Sequence, residues 1–456
     1  MRHPYKILFL ILGDIVTLYV SLFLMLVIRY GSLNDAPLVR EHLLPFSILF
    51  ILWVIVFFIH NLYDLTAAKN KLEFYSTLIR ALIINFILGA LIFYFVPFFA
   101  ISPKRNLFIF FGVFLVLFAL WRQSANALLK RRFRISAVLM GFSEEILPLA
   151  DILRQNPQIG YRVIGVFTDE IHEIEGRGFL TFTRQDFLSL TDIVSKYDIQ
   201  AIIVEKSILE NEGVVKQLDK LIGQDLAVID FTDLKERLTR KIDVEEINER
   251  WFLQYAASGR NITYDTLKRF LDVLTVIVFA LPALLLSIPI ALAIKLQDQG
   301  PVFFTQSRTG QYEKPFKLIK FRSMIVNADK AGAQITIDND PRRTPVGKFI
   351  RKLRLDELPQ FINILKGEMS FVGPRSEQRA FDEQFINALP FYERRYLMKP
   401  GLTGWAQINY SSVLSVHDAK ERMAFDFFYL KNRSLIFDIG IILRTIDIML
   451  RGSGSR

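Results

Sequence analysis

Four long apolar runs open the chain. Residues 7–28 carry a single charged side chain, Asp14; residues 43–63 and 81–103 contain no Asp, Glu, Lys or Arg; and residues 106–121 lie uncharged between Arg105 and Arg122. A hydrocarbon layer of about 30 Å takes about 20 helical residues, so each of the first three runs is long enough to cross it. The fourth reaches that length by continuing into Gln123–Leu129, with Arg122 snorkelling to the head groups. The pattern predicts a bundle of four transmembrane helices over residues 1–130. Asp14 has no partner visible nearby, and burial against a neighbouring helix is the expected reason for it. The first run exceeds the core of a signal peptide and no Ala-x-Ala site follows it, so a cleaved leader is not expected.

From about residue 131 the pattern changes. Ile135–Gly141, Tyr161–Thr168, Ala201–Glu205 and Leu226–Asp230 are short β-branched runs, separated by helical stretches such as Glu144–Arg154 and Arg184–Lys196. That alternation predicts parallel strands with helical crossovers, a Rossmann-like α/β domain over residues 131–250. The residues after Gly141 are Phe142, Ser143, Glu144 and Glu145. The further glycines of a dinucleotide turn are missing and the two acids oppose a pyrophosphate, so a structural or regulatory role is expected rather than nucleotide binding.

A fifth apolar run, residues 273–294, contains Pro282 and Pro289, with Lys268, Arg269 and Asp272 before it and Lys295 after it. Basic loop residues assign the sides of the membrane. Arg2, His3 and Lys6, then Lys69 and Lys71, then Lys130, Arg131, Arg132 and Arg134 share one face, the cytoplasmic one, with Lys104 and Arg105 a mild dissent. Residues 295–400 hold 19 Lys or Arg against 12 acids, so both flanks of the fifth run prefer the cytoplasm. Two prolines also break a helical ladder. A re-entrant helix-hairpin over about 268–295, breaking first at Pro282, satisfies both facts; a kinked full span is the alternative.

Composition narrows the chemistry. The 456 residues are 52% hydrophobic with 41 Phe, the formal net charge is +10, and cysteine is absent. Disorder, disulfide scaffolds, thiolate metal sites, iron–sulfur clusters and Cys nucleophiles are excluded. A basic balance points to anionic partners, with phosphates, nucleic acid and acidic lipid head groups the main candidates.

Gly300–Gly310 and Phe316–Met324 read as a hairpin that exposes Arg308, Lys317, Lys320 and Arg322 on one face. Arg351–Gln360 is RKLRLDELPQ. A helix is expected to start near Asp356, with Pro359 in its first turn, Leu358, Phe361, Ile362 and Leu365 on its apolar face, and Gly367 ending it. There Asp356 stays ionised beside free backbone N–H groups, Lys320, Arg351, Arg354 and Arg375 gather phosphate oxygens, and Glu357, about 100° round the helix, can hold Mg²⁺. A nucleophilic Asp, a metal ligand and a basic cradle suit phosphoryl transfer through an aspartyl-phosphate-type intermediate. A plain N-cap is the commoner reason for such an Asp-Glu pair.

KRFLDV, GPVFFTQSRTG, FKLIKFRSM, RLDELPQFINILKGEMSFVGPR, KPGLTGWAQINY and FFYLKNRSLIFDIGIILRTI follow one another over residues 260–450. In that order they resemble the bacterial sugar transferase family, the monotopic phosphoglycosyl transferases or polyprenyl-phosphate hexose-1-phosphate transferases. The four helices and the α/β domain resemble its large members. The resemblance implies an α+β catalytic domain over residues 251–456, anchored by a re-entrant membrane hairpin on the cytoplasmic face of the bacterial inner membrane. It implies transfer of a sugar 1-phosphate from a UDP-sugar, UDP-glucose or UDP-galactose, to undecaprenyl phosphate, with release of UMP and the start of an exopolysaccharide, capsule or O-antigen repeat. Asp356 then matches the nucleophile and Glu357 the Mg²⁺ ligand, and Lys320, Arg322, Arg351, Arg375 and Gln407 fall on substrate-binding motifs. Membrane lipids are then partners, nucleic acid is not, and a homodimer is compatible with the chain.

The chain departs from the family pattern at three places. Leu281-Pro282 and Ser287-Ile288-Pro289 stand where a Ser-Pro break is common, Pro374-Arg375-Ser376 lacks the second proline of a Pro-Arg-Pro motif, and Arg354 stands where Ser is frequent. Membrane-bound sugar-nucleotide dehydratases form a rival class, since Tyr264 and Lys268 have their Tyr-x-x-x-Lys spacing. No Gly-rich turn precedes the pair, and the spacing reads as chance. A non-catalytic scaffold or lipid exporter is the other rival, and it gives Asp356 nothing to do.

Overall fold

The four apolar runs form α1 (His3–Tyr30), α2 (Ala36–Ile59), α3 (Leu72–Phe95) and α4 (Pro103–Arg132). In this computed structural model residues 3–31, 36–60, 62–63, 72–95, 103–132, 134–167, 178–221, 226–255, 262–328, 340–410 and 415–451 are described. They divide into two units, residues 1–235 and 236–456. Arg2, Lys69 and Lys71, which carry part of the orientation reading, lie outside the described residues. By length and apolarity α1 to α4 can each cross a membrane. Their shared core is aromatic: Phe46 meets Phe110 at 5.1 Å between centroids, Trp53 meets Phe114 at 5.3 Å and Phe57 meets Phe118 at 5.0 Å.

Asp14 finds its partner here. Arg122 on α4 donates to its Oδ2 at 2.5 Å and to the Leu62 carbonyl at 2.8 Å, while the Trp121 indole N–H donates to Oδ1 at 2.9 Å. The α4 helix does extend through Leu129, yet Arg122 does not snorkel; both charges are buried. A buried ion costs several kcal/mol unless it is paired and hydrogen-bonded, and the pairing removes the reason to reach for the head groups.

The α/β domain follows as β1 (Ile135–Met140), α5 (Ile146–Gln155), β2 (Tyr161–Phe167), β3 (Leu180–Phe182), α6 (Leu190–Lys196), β4 (Ala201–Val204), α7 (Glu212–Asp219), β5 (Ala227–Asp230) and α8 (Phe231–Thr239). The sheet order is β3-β2-β1-β4-β5, and every neighbouring pair is parallel. All four expected strands form. The fifth, β3, has three residues and too little alternation to show in sequence.

The second unit holds α9 (Glu249–Tyr255), α10 (Ile262–Asp298), β6 (Phe303–Thr309), β7 (Pro315–Phe321), α11 (Pro345–Lys352), α12 (Gln360–Lys366), β8 (Ser370–Val372), α13 (Arg379–Ala388), β9 (Gly401–Thr403), α14 (Trp405–Asn409), α15 (Val416–Asn432) and α16 (Leu435–Arg451). The antiparallel pair β6–β7 runs in register from Phe303 opposite Phe321 to Thr309 opposite Pro315, and β8 pairs with β9 in parallel. The expected hairpin is thus present, but its basic face is not the solvent face. Lys317 is exposed, whereas Arg308 and Arg322 are buried and Lys320 shares the strand face of buried Phe316 and Leu318.

The fifth apolar run is one helix in its hydrogen bonding, α10, with both prolines inside it and no separate turn. Its first half is held by the second unit through Val276, packed with Phe316, Leu318 and Ile364, and its last turns through Ile290 and Ile294, packed with Phe321 and Ile350. Between these anchors Ile277, Val278, Phe279, Leu281, Leu284, Leu285, Leu286 and Ile288 are all exposed.

Candidate active site

The polypeptide approaches the site through α11, whose Thr344 hydroxyl caps the helix by accepting from Gly347 N at 3.0 Å. The helix ends at Leu353, Arg354 turns the chain in the left-handed region with φ 53°, and Leu355–Glu357 form a single 3₁₀ turn ahead of α12. The expected helix start near Asp356 is therefore displaced. Asp356 belongs to the 3₁₀ turn, Pro359 stands at the N-cap of α12, and Gly367, at φ 81°, ends it as expected. A left-handed non-glycine residue costs of order 1 kcal/mol and tends to survive where the surroundings enforce it.

Buried Asn363 fixes α12 to the hairpin. Its Oδ1 accepts from Ile319 N at 3.1 Å, and its Nδ2 donates to the Lys317 carbonyl at 2.8 Å and to Glu368 at 2.7 Å. Strand alternation in β7 then sends Lys320 inward to the Asp356–Glu357 turn.

The structure brings together Asp356, Glu357, Lys320, Arg351, Arg354 and Arg375. Asp356 is 8% exposed, and burial, with Glu357 beside it, pushes its carboxyl up to about 6 while Lys320, Arg351 and Arg354 resist. At neutral pH it stays ionised. Burial also works against the Glu357 carboxylate, but Lys320, Arg375, Arg354 and Arg351 outweigh it and hold Glu357 below its usual range. Burial draws the Lys320 ammonium down to about 8, Glu357 opposing, and lowers Arg351 in the same way. Arg354 and Arg375 both reach the Glu357 carboxylate at 3.8 Å. Asp356 has no hydrogen bond among the described residues, which leaves its oxygens available.

Two of the expected site residues are engaged elsewhere. Arg322 pairs with Asp298 at the end of α10, and Gln407 on α14 donates to the Gly401 carbonyl at 3.4 Å. Tyr264 and Lys268, whose spacing suggested a dehydratase pair, both donate to Asp438 Oδ2 at 2.9 Å. Their i, i+4 spacing serves a structural anchor.

One group of functional side chains was not foreseen. Arg308 donates to the Ser376 carbonyl at 3.1 Å, Arg395 to the Arg375 carbonyl at 3.3 Å, and Arg422 to Glu377 at 2.5 Å, while Arg395 also binds Asp426 at 2.7 Å. Arg308 and Arg395 hold the backbone of Arg375 and Ser376, Arg422 holds the Glu377 carboxylate, and together they present the Arg375 side chain to Glu357. The only signal in the sequence is the charged Pro374-Arg375-Ser376-Glu377 string; its partners lie up to 68 residues away.

Among the described residues no three His, Cys, Asp or Glu side chains gather into a closed metal cage. Mg²⁺ often takes only one or two carboxylates and fills its shell with water and substrate phosphate. Glu357, approached by guanidinium groups only at 3.8 Å, fits a ligand of that kind. Chemically the cluster offers a buried carboxylate without a hydrogen bond among the described residues, a second carboxylate for a cation, and four basic groups for phosphate.

Two family models match the chain: the bacterial sugar transferase over residues 263–452 and a CoA-binding domain over residues 59–221. At the switch point of the α/β sheet an acidic side chain stands where a dinucleotide turn would place a pyrophosphate. There Glu205 accepts from Phe142 N at 3.0 Å and from the Ser143 hydroxyl, and its carboxyl occupies the space beside Gly141. The chain is 40% identical over 232 residues to a UDP-N-acetylgalactosamine-undecaprenyl-phosphate N-acetylgalactosaminephosphotransferase of Aeromonas hydrophila, covering 51% of this chain and 54% of that protein. It is 35% identical over 305 residues to the UDP-glucose:undecaprenyl-phosphate glucose-1-phosphate transferase of Escherichia coli (strain K12), covering 65% and 64%. The exopolysaccharide production protein PSS of Rhizobium leguminosarum bv. phaseoli is 40% identical over 199 residues, 41% of this chain and 98% of that protein. The matches to the first two relatives thus span only about half to two thirds of their length.

Proposed function

Because the chain belongs to the bacterial sugar transferase family, we propose that it transfers a sugar 1-phosphate from a UDP-sugar to undecaprenyl phosphate through a phosphosugar–Asp356 intermediate. Asp356 carries this reading: a carboxylate with no hydrogen bond among the described residues, surrounded by Lys320, Arg351 and Arg354, is a nucleophile placed for a phosphorus centre. One Asp356 oxygen bonds to the sugar-bearing phosphorus. The bond from that phosphorus to the bridging oxygen breaks, and UMP leaves with the electron pair. An oxygen of undecaprenyl phosphate then attacks the same phosphorus, and the Asp356 carboxylate departs. Lys320, Arg351 and Arg375 hold the phosphate charge in place through both displacements. Mg²⁺ held by Glu357 and the donor phosphates would supply further positive charge against the leaving group.

The step begins a lipid-linked repeat of an exopolysaccharide, capsule or O-antigen. The sequence expectation for the donor is UDP-glucose or UDP-galactose, and the relatives' names add UDP-N-acetylgalactosamine. Purified protein with undecaprenyl phosphate, Mg²⁺ and these three donors should release UMP with at least one of them. Silence with all three, in protein that remains folded, contradicts the reading.

The acceptor's phosphate lies at the head-group plane, so the active site must rest against the leaflet. Exposed Phe349, Leu353, Ile362 and Leu365 on α11, α12 and the turn between them suit that placement. A re-entrant α10 would hold it there. Val276 shares a cluster with Phe316 and Leu318, and Ile290 with Phe321, positions three to five residues apart on one strand and so about 10 to 17 Å apart. A straight helix would separate Val276 from Ile290 by about 21 Å. A bend at Pro282 and Pro289 reconciles the two lengths and sends the exposed apolar middle of α10 into the bilayer. The native chain has no cysteine, so single cysteines at exposed Asp265 and Lys314 are clean probes. Both should label from the cytoplasmic side of intact cells; labelling of Lys314→Cys from the periplasm would show a full span.

A further inference from the structure

A cavity of about 550 Å³ opens at the root of α10. Lys268, Arg269, Lys399 and Arg433 line it against two acids, Asp265 and Asp272. Asp272 is committed: its Oδ1 accepts from the Ser370 hydroxyl at 3.0 Å and from Phe371 N at 2.9 Å. Lys268 gives one N–H to Asp438, Arg269 donates to the Ile364 and Leu365 carbonyls, and the Arg433 guanidinium lies 5.7 Å from the centre of the Tyr264 ring. Lys399 is half-buried and has no ion pair or hydrogen bond among the described residues. The cavity therefore holds an excess of positive charge over an apolar wall that includes Val372 and Leu430, a combination suited to an anion attached to something greasy.

Its surroundings say where that anion sits. The apolar run of α10 begins at residue 273, directly after Asp272. On the same helix Leu267, Phe270 and Leu274 are exposed, and on α16, whose Asp438 backs the cavity, Ile436 and Ile439 are exposed as well. Exposed apolar side chains on both neighbouring helices put the rim at the boundary between head groups and acyl chains. The cavity is not the reacting centre. None of Asp356, Glu357, Lys320, Arg351 and Arg375 lines it, and Arg269 ties it instead to the last turn of α12, at the Ile364 and Leu365 carbonyls.

We propose that this cavity binds the phosphate head group of a membrane lipid, at a site separate from Asp356. Lys399 supplies the uncommitted charge, and Lys268, Arg269 and Arg433 shape the remainder. The site does not depend on the reaction proposed above, and its test reads no turnover. The full chain is placed in nanodiscs of phosphatidylcholine doped with either phosphatidylglycerol or undecaprenyl phosphate, and lipid retained by the released protein is counted by mass spectrometry. Wild type should enrich a doped anionic lipid over phosphatidylcholine. Lys399→Ala and Lys399→Gln should each lose about fivefold of that enrichment, the weight of one basic residue at an anionic surface. Lys399→Arg should keep it, and excess inorganic phosphate should not displace the lipid. Dependence on Lys399 in one arm alone identifies which lipid the site takes. Equal retention by wild type and both neutral variants, at unchanged Tm, would overturn the proposal. Displacement by inorganic phosphate would overturn the lipid requirement.

Discussion

Asp356→Asn should lower turnover by about 10⁴-fold or more, since the change keeps shape and volume but removes the carboxylate proposed to split the reaction into two displacements. The variant should still fold and still bind UDP-sugar, because Asp356 makes no hydrogen bond among the described residues whose loss would loosen the turn. The kinetics of the wild type should be ping-pong, with UMP released before the lipid enters. Burial raises the Asp356 carboxyl to about 6, so the group is charged above that pH and neutral below it. Turnover should accordingly fall as pH drops through about 6. Appreciable turnover in Asp356→Asn, or a sequential mechanism needing both substrates, would remove the covalent route.

Glu357→Gln should cost about 10³-fold, on the scale of losing one preorganised electrostatic group at a reacting phosphate. It preserves size but leaves a neutral amide, a poor partner for a hard cation. The change also strands Arg354 and Arg375, which approach Glu357 at 3.8 Å, so added Mg²⁺ should restore little. Chelation of divalent cations should silence the wild type to a similar degree. Full activity in EDTA would exclude Glu357 as a metal ligand and leave it only the task of ordering the arginines.

The legible parts of this molecule were those set by local periodicity. The apolar runs gave α1 to α4, the β-branched runs gave four of the five parallel strands, and two apolar strings around Gly310 gave the hairpin β6–β7. Within the site, the Asp-Glu pair, the stop at Gly367 and the basic residues Lys320, Arg351 and Arg375 could all be singled out from residue types and spacing. The direction of Lys320 follows from alternation, since Phe316 and Leu318 share its face, whereas a count of charges alone points the hairpin's basic residues to water.

What escaped was set by partners far along the chain. Arg122 meets Asp14 across 108 residues, Arg308 meets Ser376 across 68 and Arg422 meets Glu377 across 45. Nothing in a local window distinguishes such an arginine from one on the surface. The same holds for Tyr264 and Lys268, whose spacing copied a catalytic pair until Asp438, 170 residues beyond Lys268, accounted for it. The 3₁₀ turn at Asp356 was missed for a different reason. A left-handed Arg354 resets the helix start, and no propensity scale favours that conformation for arginine.

Intact-protein mass spectrometry after incubation with UDP-sugar and Mg²⁺, with no lipid acceptor present, tests the covalent intermediate most directly. The wild type should gain the mass of one sugar phosphate, released again as product on addition of undecaprenyl phosphate, and fragmentation should place it on Asp356. Asp356→Asn should gain nothing. An unmodified wild type that nevertheless turns over once the acceptor is added, or an adduct that persists in Asp356→Asn, would contradict it.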